Sequence, residues 1–439
     1  MKDVRFTTKW YLCRMKRTLH QFITYIVFSI VCVAGCDKMQ PEAVEEDIIV
    51  CPFCNEEFAS EAECLEHQKT CDQYTRKEEA LFMIPADSNY PGSTNVDAAH
   101  WMSKLPRDTR LVDLTIPGLH DAATYCYNSC TTPTWIKDQN IDYRDAWNKG
   151  ARAFDLRLGY DGRNFQGSFE ERCKFFHGDA LIGILTGTCM MYNFHIDVTG
   201  HFPTEDQLKG ETMILITKKE FMPVSYTHLK LNVFEYFMRL IIERYGRDTF
   251  IEYSPDLTLA DCEGKIILFT REKTYTEDYS YIGGVPSVPV NYIESFPSDG
   301  KTGIETYRNG KNLKSYSAYV QDHYDVGSCG KGSDKYNSFK TALANRKSQA
   351  PDEIFFDGMN GVQEVPSWEV CVYMNDKVGS DLKKLNWDSE YKQSLGIVLT
   401  DFYGVDDFNY GFWWEPRDFK GNELACQLVS HNFKRLVWK

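Results

Sequence analysis

Short apolar runs recur from about residue 99 onward, and this rhythm limits the possible folds more than any other feature. The runs are rich in β-branched and aromatic residues, and helix-like stretches such as LNVFEYFMRLIIERYG (231–246) separate several of them. The runs are LVDLTI (111–116), ARAFDLRL (151–158), KFFHG (174–178), TMILITK (212–218), KIILFTR (265–271), AYVQDHY (318–324), EIFFDG (353–358) and LGIVLTD (395–401). Near-continuous apolar strands that alternate with helices indicate a mainly parallel sheet. Eight such strands over about 340 residues predict an α/β fold, a closed barrel of the (β/α)8 type rather than an open doubly wound sheet.

The bulk composition is that of a folded, acidic protein. With 439 residues and 43% hydrophobic residues, the chain is large enough to bury a barrel-sized core. Lys and Arg number 49 against 63 Asp and Glu, which gives a formal net charge of −14. This balance argues against a nucleic-acid partner, so an anionic substrate needs a local basic site.

The first 36 residues have the pattern of a bacterial export signal. Lys16-Arg17 precedes a mostly apolar run from Leu19 to Ala34, and the sequence Val33-Ala34-Gly35-Cys36 looks like a lipobox. We therefore expect Cys36 to be lipidated and the protein to be an exported, membrane-anchored lipoprotein, periplasmic or on the cell surface. An ordinary transmembrane anchor and a chance match to the lipobox are the alternatives. The barrel region has an even number of cysteines, which fits export, although their pairing stays open. They are residues 126, 130, 173, 189, 262, 329, 371 and 426.

A compact cysteine motif follows an acidic linker. Cys51-x2-Cys54-x12-His67-x3-Cys71 has the spacing of a zinc finger that ends in Cys. An exported finger cannot meet DNA, so we expect a spacer stapled by a structural zinc, with disulfide pairing of the same cysteines as the alternative. The predicted segments are the signal region at 1–36, the acidic linker at 37–50, the zinc-finger-like motif at 51–71, a polar linker at 72–98 and the barrel at 99–439.

Titratable side chains gather where the apolar runs end. In a parallel barrel the carboxyl ends of all strands meet at one mouth. The side chains at those ends are His120, Asp121, Arg157, His177, Lys218, Arg271, Asp322, Tyr324 and Asp401. Each alone has a simpler explanation, since Arg157 could pair with Asp155 and Lys218 with Glu220. Their combination favours a functional mouth.

Such a mouth suits a phosphodiester. Fixed cations can surround an anion, and Arg can clamp phosphate oxygens with two donors. Two histidines can act as general base and general acid across one phosphorus, and neighbouring carboxylates can orient them. A calcium or magnesium site would need several converging oxygen ligands, whereas Arg157 and Lys218 stand at this mouth. We therefore expect no catalytic metal.

The ordered set of segments resembles the X-domain of bacterial phosphatidylinositol-specific phospholipase C. The matching segments are TIPGLHD, GARAFDLRLG, FFHG, ETMILITKKE, GKIILFTR, VQDHY and VLTD, and the resemblance covers roughly residues 99–439. The resemblance implies an irregular (β/α)8-like barrel that acts on phosphatidylinositol or an inositol-glycan anchor at a membrane surface. Its products would be diacylglycerol and inositol 1,2-cyclic phosphate, formed without calcium.

The resemblance also implies roles for the residues at the mouth. His120 would be the general base for the inositol 2-hydroxyl, and Asp401 would orient it. His177 would protonate the leaving glycerol oxygen with Asp121 as its partner, and Arg157 would stabilise charge on the phosphate. The positions that match inositol-contacting residues are Lys218, Arg271 and Asp322, and Tyr324 matches a ring-stacking residue.

Several expectations remain open at the level of sequence. Leu119 and Ala122 replace the family's Thr and Ser beside the base, and the stretch 179–209 is longer than in the family, which puts the head-group preference in doubt. The aromatic stretch 401–419 could insert into a lipid interface or pad the barrel rim. A metal-dependent, glycerophosphodiesterase-like barrel and a non-catalytic lipoprotein that binds inositol phosphates or glycans are the alternative functions. The oligomeric state is not predicted.

Overall fold

A computed structural model describes most of the barrel region and little of the N-terminal region. The described residues are 49–50, 57–58, 81–126, 137–161, 168–177, 194–220, 229–276, 281–282, 285–286, 288–325, 332–360, 367–408 and 417–438. The chain divides into two compact units, Met1–Glu79 and Ala80–Lys439. In the first unit, the described residues form an antiparallel pair of short strands, Ile49–Val50 and Glu57–Phe58.

Several predicted features of the N-terminal region lie outside the described residues. These are the signal region, the lipidation site and the zinc ligands, that is Cys36, Cys51, Cys54, His67 and Cys71. Among the residues that the structure does describe, no helix combines the length and the apolar character needed to cross a bilayer.

The second unit is built around a closed, mainly parallel barrel. Its strands are β1 Thr115–Leu119, β2 Ala153–Tyr160, β3 Cys173–Phe175, β4 Thr212–Lys219, β5 Lys265–Thr270, β6 Val290–Ile293, β7 Gly300–Arg308, β8 Lys311–Gln321, β9 Ile354–Gly358 and β10 Gly396–Thr400. Their order in the sheet is β1-β10-β9-β8-β7-β6-β5-β4-β2, and the pairing of β1 with β2 closes the ring. Within the ring β7 runs antiparallel to both of its neighbours, and the other pairings are parallel. The predicted (β/α)8-like barrel is therefore confirmed, with one antiparallel strand inserted.

The third apolar run does not take the place that the sequence predicts for it. KFFHG contributes β3, which pairs antiparallel with the end of β2 and lies outside the ring. β2 instead pairs directly with β4, and the ring gains the short β6 elsewhere, between β5 and β7. β6 has only four residues and β7 alternates buried and exposed side chains, so neither forms a long apolar run.

The first strand runs further than the sequence predicts. β1 continues through Pro117 and Gly118, because the Pro117 carbonyl accepts the backbone N–H of Arg152 at 2.8 Å. At Gly118 a Cβ atom would lie only 2.8 Å from the Ala153 Cβ and 2.9 Å from a methyl group of Leu399. Glycine is needed there because neighbouring strands approach closely. The backbone therefore stays paired as far as His120, whose N–H donates to the Thr400 carbonyl at 3.1 Å.

Helices cover the outside of the barrel. The longer ones are α1 Tyr143–Asn148, α2 Leu229–Tyr245, α3 Gly332–Gln349, α4 Ser367–Lys383 and α5 Gly421–Leu436. In α2, Val233, Phe237 and Ile241 recur every four residues and are fully buried, as expected for a helix with one apolar face. The C-terminal helix α5 is tied to β1, because the Asn432 side chain bonds to both backbone groups of Thr115 at 2.8 Å.

Shorter elements connect these parts. Single helical turns are Phe169–Arg172, Phe194–Ile196, Glu205–Leu208 and Leu259–Cys262, and a π-helical turn is Asp197–His201. The 3-10 turns are Ala98–His100, Met102–Lys104, Leu111–Asp113, Ala122–Cys126, Arg247–Thr249, Lys273–Thr276 and Ser389–Lys392. Short antiparallel pairs join Met83–Ile84 to Val96–Asp97, Tyr281–Ile282 to Val285–Pro286, and Asp407–Phe408 to Arg417–Asp418.

The end of the predicted polar linker belongs to the barrel unit. Ile84 and Val96 are buried, and the buried Arg152 guanidinium donates to the carbonyls of Ala98 and Ala99. Arg152 also forms a buried ion pair with Glu211 at 2.7 Å. These contacts explain why the compact unit begins at Ala80, upstream of the boundary at 99 that composition indicates.

Four cysteines of the barrel region, all with described side chains, carry unpaired thiols. Cys173, Cys262 and Cys371 are buried, and Cys426 is half-buried. Burial raises the pKa of Cys262 to about 12 and that of Cys426 to about 11. These thiols are therefore packing groups of low reactivity.

Candidate active site

Two strand ends place a histidine and a carboxylate against each other. His120 follows β1 and Asp401 follows β10, and the His120 Nδ1 lies 2.9 Å from an oxygen of the buried Asp401. The buried side chain of Gln139 joins both strand ends, because its amide group donates to the carbonyls of His120 at 2.8 Å and of Thr400 at 2.7 Å. The residues that follow these two groups along the chain, Asp121 and Phe402, have φ angles of 42° and 49°. Left-handed backbone in bulky or charged residues costs energy and is often found at functional sites.

The other ring nitrogen of His120 faces donors. Arg157 Nη2 lies 2.6 Å from His120 Nε2, and Asn360 Nδ2 lies 3.2 Å from it. Because a guanidinium and an amide NH2 can only donate, Nε2 holds the lone pair and Nδ1 donates its hydrogen to Asp401. Burial, followed by the positive charges of Arg157 and His177, lowers the pKa of His120 well below its ordinary value. The imidazole is thus neutral, with a basic nitrogen directed at Arg157.

Arg157 is held in a cage of carboxylates. Its Nε lies 2.6 Å from Asp121, Nη2 lies 3.3 Å from Asp155, and Nη1 lies 3.4 Å from Glu220. Burial alone lowers the pKa of Arg157, but these carboxylates outweigh it and raise that pKa well above the ordinary value. The guanidinium is therefore a permanent, fixed cation.

The two ion pairs that the sequence suggests as simpler explanations are both present, and both belong to the group of charged side chains around Arg157. Arg157 contacts Asp155, and the Lys218 ammonium lies 2.9 Å from Glu220. Glu220 in turn contacts Arg157, and despite burial the positive charges of Arg157 and Lys218 lower its pKa. The ion pairs thus link Lys218 to the mouth.

His177 reaches the mouth although β3 lies outside the barrel. The backbone N–H of Phe176 donates to the Arg157 carbonyl at 2.8 Å, which holds the chain beside β2. His177 Nε2 lies 3.3 Å from Asp121 Oδ2, and this same oxygen lies 3.6 Å from His120 Nε2. Both Nε2 atoms therefore face one small region next to the Arg157 guanidinium. The structure brings the two predicted histidines and the predicted arginine together.

The remaining predicted residues lie on the opposite side of the mouth. Arg271 lies over the Phe296 ring at 3.9 Å and contacts Asp322 at 3.4 Å. Arg271, Asp322 and Phe296 line one pocket with His120 and Arg157. Tyr324 is 56% exposed and does not line that pocket, so it lies at the rim.

Sequence reasoning missed several residues of this site. Asn360 comes shortly after β9, so a search for polar residues at the carboxyl ends of the strands could have found it. Asp138 follows no apolar run, yet its Oδ2 lies 3.7 Å from His120 Nδ1 and 3.5 Å from His177 Nδ1. Phe296 follows β6, which has no distinct sequence signal. Only the folded chain brings Asp138 and Phe296 to the mouth.

The carboxylates raise the question of a metal ion. Two overlapping groups have ligand atoms within 4.8 Å of one another: His120, Asp138 and Asp401, and Asp121, Asp138 and His177. Burial and then the charges of neighbouring carboxylates raise the pKa of Asp401 well above its ordinary value, and burial does the same for Asp121. However, Arg157 already supplies a cation, 2.6 Å from Asp121, and it would repel a divalent ion. The arrangement suits an anion beside Arg157 better than a metal ion among the carboxylates.

Comparison with known proteins gives a consistent result. No family model matches the chain. It is 27% identical over 355 residues to the 1-phosphatidylinositol phosphodiesterase of Staphylococcus aureus strain Newman, an alignment that covers 76% of this chain and 94% of the relative. It is 23% identical over 327 residues to the protein of the same name from Listeria monocytogenes serovar 1/2a, which covers 72% of this chain and 84% of the relative.

Solved structures match the fold. A mutant of phosphatidylinositol-specific phospholipase C from Staphylococcus aureus has a TM-score of 0.51 and 20% identity, and covers 78% of this chain and 99% of that one. A second structure of that enzyme, from work on its membrane binding, has a TM-score of 0.51 and 19% identity with the same coverage. The resemblance in the sequence is thereby confirmed: the relatives and structural neighbours of this chain are bacterial phosphatidylinositol-specific phospholipases C.

Proposed function

We propose that the chain cleaves phosphatidylinositol, or the inositol-glycan form of that lipid, to diacylglycerol and inositol 1,2-cyclic phosphate without a metal ion. The observation that carries this proposal is the convergence of two imidazoles and one guanidinium. His120 Nε2 lies 2.6 Å from Arg157, and both histidine Nε2 atoms lie within 3.6 Å of the same Asp121 oxygen. The similarity to named phosphodiesterases supports the same substrate class.

The first half of the reaction is the attack of the inositol 2-hydroxyl on phosphorus. His120 Nε2 accepts the hydroxyl proton while the oxygen forms its bond to phosphorus. The resulting imidazolium is stabilised by Asp401, which already accepts the Nδ1 hydrogen at 2.9 Å. Nucleophile and phosphorus belong to one molecule, so correct orientation removes much of the entropic barrier.

The second half is the departure of diacylglycerol. His177 in its protonated form gives its Nε2 proton to the glycerol oxygen as the phosphorus–oxygen bond breaks, and Asp121, whose Oδ2 lies 3.3 Å from that same nitrogen, is the partner of this proton before the transfer. Arg157 donates to the phosphate oxygens and stabilises the charge that develops on them. One proton is gained by His120 and one is lost by His177, so the enzyme's net charge does not change.

The head group is bound mainly by the opposite side of the mouth, where Arg271 and Asp322 would donate to and accept from inositol hydroxyls and Tyr324 at the rim would stack on the ring. Lys218, which pairs with Glu220 beside Arg157, would contact the inositol from the Arg157 side. Leu119 and Ala122, which stand where the family has hydroxyl side chains, are fully buried. They supply apolar packing beneath the mouth, which is consistent with a head-group preference set by the other residues.

Location and anchoring belong to the proposal as well. Export, lipidation of Cys36, a structural zinc at 51–71 and the segment boundaries upstream of Ala80 all rest on the sequence. For part of the aromatic stretch, contacts favour packing over lipid insertion: Phe402 and Phe419 are buried and stack at 4.3 Å, and the Tyr403 hydroxyl donates to the Lys149 carbonyl at 2.8 Å. Residues 409–416 of that stretch lie outside the described residues.

The second candidate is a metal-dependent phosphodiesterase, which the two groups of possible metal ligands favour. A single assay separates the candidates: the chain is incubated with phosphatidylinositol vesicles in EDTA, and products are followed by phosphorus NMR. We expect the resonance of a five-membered cyclic phosphate at full rate in EDTA. Activity that is lost in EDTA and restored by a divalent cation would favour the metal enzyme. No turnover under either condition would favour a non-catalytic binding protein.

A further inference from the structure

Asp138 lies between the two imidazoles of the site and has no role in the mechanism above. One of its oxygens, Oδ2, is 3.7 Å from His120 Nδ1 and 3.5 Å from His177 Nδ1. On the other edge of both rings, Asp121 Oδ2 is 3.6 Å from His120 Nε2 and 3.3 Å from His177 Nε2. Each imidazole is therefore flanked by the same two carboxylate oxygens.

The position of Asp138 is fixed by its backbone. Its N–H donates to the Thr124 hydroxyl at 3.1 Å, and its carbonyl accepts the N–H of Phe402 at 2.7 Å. These partners follow β1 and β10, the two strands that carry His120 and Asp401. The side chain is 1% exposed. The Asp138 carboxylate is thus a buried group that the fold holds at the mouth, and not a mobile surface group that happens to lie near it.

The proposed reaction moves one positive charge between the two rings. Before the reaction the charge is on His177, the acid, and afterwards it is on His120, the base. Asp401 contacts His120 and stabilises the later state, while Asp121 is engaged at 2.6 Å with Arg157. A carboxylate at nearly equal distance from both rings stabilises the charge on either one, so it does not oppose the transfer.

We propose, resting on the proposed function, that Asp138 is a positioning residue that links the two histidines electrostatically. It stabilises the positive charge on whichever imidazole holds the proton, and so does not oppose the transfer of that charge from His177 to His120.

The other charges around the rings act against protonation of His120. Burial and then the charges of Arg157, His177, Lys218 and Arg271 lower the pKa of His120 well below its ordinary value. Each carboxylate near the ring opposes this effect, and Asp138, whose Oδ2 is 3.7 Å from His120 Nδ1, strengthens the binding of a proton by the base. The ionisable groups that face the two rings, besides Asp138 and the rings themselves, are Asp121, Asp155, Arg157, Lys218, Glu220, Arg271 and Asp401.

The test is a histidine titration of the full chain by carbon–proton NMR, with Asp138→Asn as the variant. The His120 and His177 signals are assigned by their loss in His120→Gln and His177→Gln. We expect both pKa values to fall in Asp138→Asn, each by about one pH unit, because a carboxylate near both rings has been neutralised. Asp401→Asn is the reference for a change centred on His120. A fall for one ring alone, or for neither, would overturn the proposal.

Kinetics give a second readout that a purely structural role would not produce. In Asp138→Asn the acidic and basic limbs of the kcat/KM profile should both move to lower pH, and Asp138→Glu should restore them at least in part. Asp138→Ser removes the charge with a smaller side chain and is judged by the same criterion if the Asn variant folds poorly. The titration needs no substrate, so absence of phosphatidylinositol cleavage would refute the proposed function and leave the test of Asp138 valid.

Discussion

The two sides of the barrel mouth are built differently. On the side of β1, β2 and β10, the side chains of Asp121 and Asp401 are 1% exposed and that of Arg157 is 11% exposed. On the side of β5 and β8, the Arg271 side chain is 22% exposed, and Tyr324 at the rim is 56% exposed. On the first side Arg157 contacts three carboxylates, whereas on the second side Arg271 contacts one carboxylate, Asp322, and the Phe296 ring.

This difference separates two tasks. Proton transfer and charge stabilisation require groups that are already in place, because a displacement of about 1 Å can cost a large part of the rate. Recognition of a hydroxylated ring tolerates side chains that adjust, since each hydrogen bond to an exposed group contributes little on its own. We therefore expect the buried side to control kcat and the exposed side to control KM.

The largest expected effect follows removal of the base. His120→Ala should lower kcat by about 10³-fold or more, because no other described group has a lone pair beside Arg157 in the same position. The rate of inositol cyclic phosphate release from phosphatidylinositol vesicles measures it. His195→Ala, which removes an exposed imidazole outside the mouth, is the matched control and should keep the full rate. A His120→Ala variant with near-normal activity would contradict the assignment of the base.

The next largest effect concerns the geometry of the fixed cation. Arg157→Lys keeps the charge but removes the planar fork that contacts three carboxylates, so a bidentate contact with phosphate is lost. We expect kcat to fall about 10²-fold with a small change in KM. Steady-state kinetics on a short-chain phosphatidylinositol below its micelle concentration separate the two constants. A change confined to KM would place Arg157 among the binding groups and break the contrast between the two sides.

A smaller effect is expected on the exposed side. Arg271→Ala removes a cation that lies over Phe296 and contacts Asp322, so KM should rise about tenfold while kcat changes less than about threefold. Lys273→Ala is a control on the same strand end, because Lys273 pairs with Glu305 and is 56% exposed. Equal loss of kcat in Arg271→Ala would show that this side also serves the chemical step.

The sequence predicts the buried side better than the ring that carries it. His120, Arg157 and Asp401 each follow an apolar parallel strand, and such strands have a strong local signal. His177 was also predicted, but for a partly mistaken reason, since β3 lies outside the barrel. The hairpin of β7 and β8 inserts an antiparallel strand whose alternating burial gives no long apolar run.

Contacts between distant segments set the limit of prediction. Asp138 lies in a connection after β1 and reaches the two histidines only because Thr124 and Phe402 bind its backbone. Gln139 likewise joins the ends of β1 and β10 from a loop. Neither residue has a periodic neighbourhood that would mark it. Residues at strand ends are predictable from pattern, and residues that fix those ends from loops require the fold.

The smallest expected effect is that of mild acid on the wild-type enzyme. His120 must be unprotonated to accept the inositol hydroxyl proton, and burial with the nearby positive charges lowers its pKa well below the ordinary 6.5. The inactive imidazolium therefore accumulates only at a pH below that value, and kcat/KM at pH 6 should stay within about twofold of its value at pH 7. A profile measured from pH 4.5 to pH 8 on the short-chain substrate tests this. A midpoint of the acidic limb at or above 6.5 would contradict this expectation. It would mean that the carboxylates around His120 raise its pKa by more than burial and the cations of the mouth lower it, so that the buried side favours the imidazolium over the neutral base.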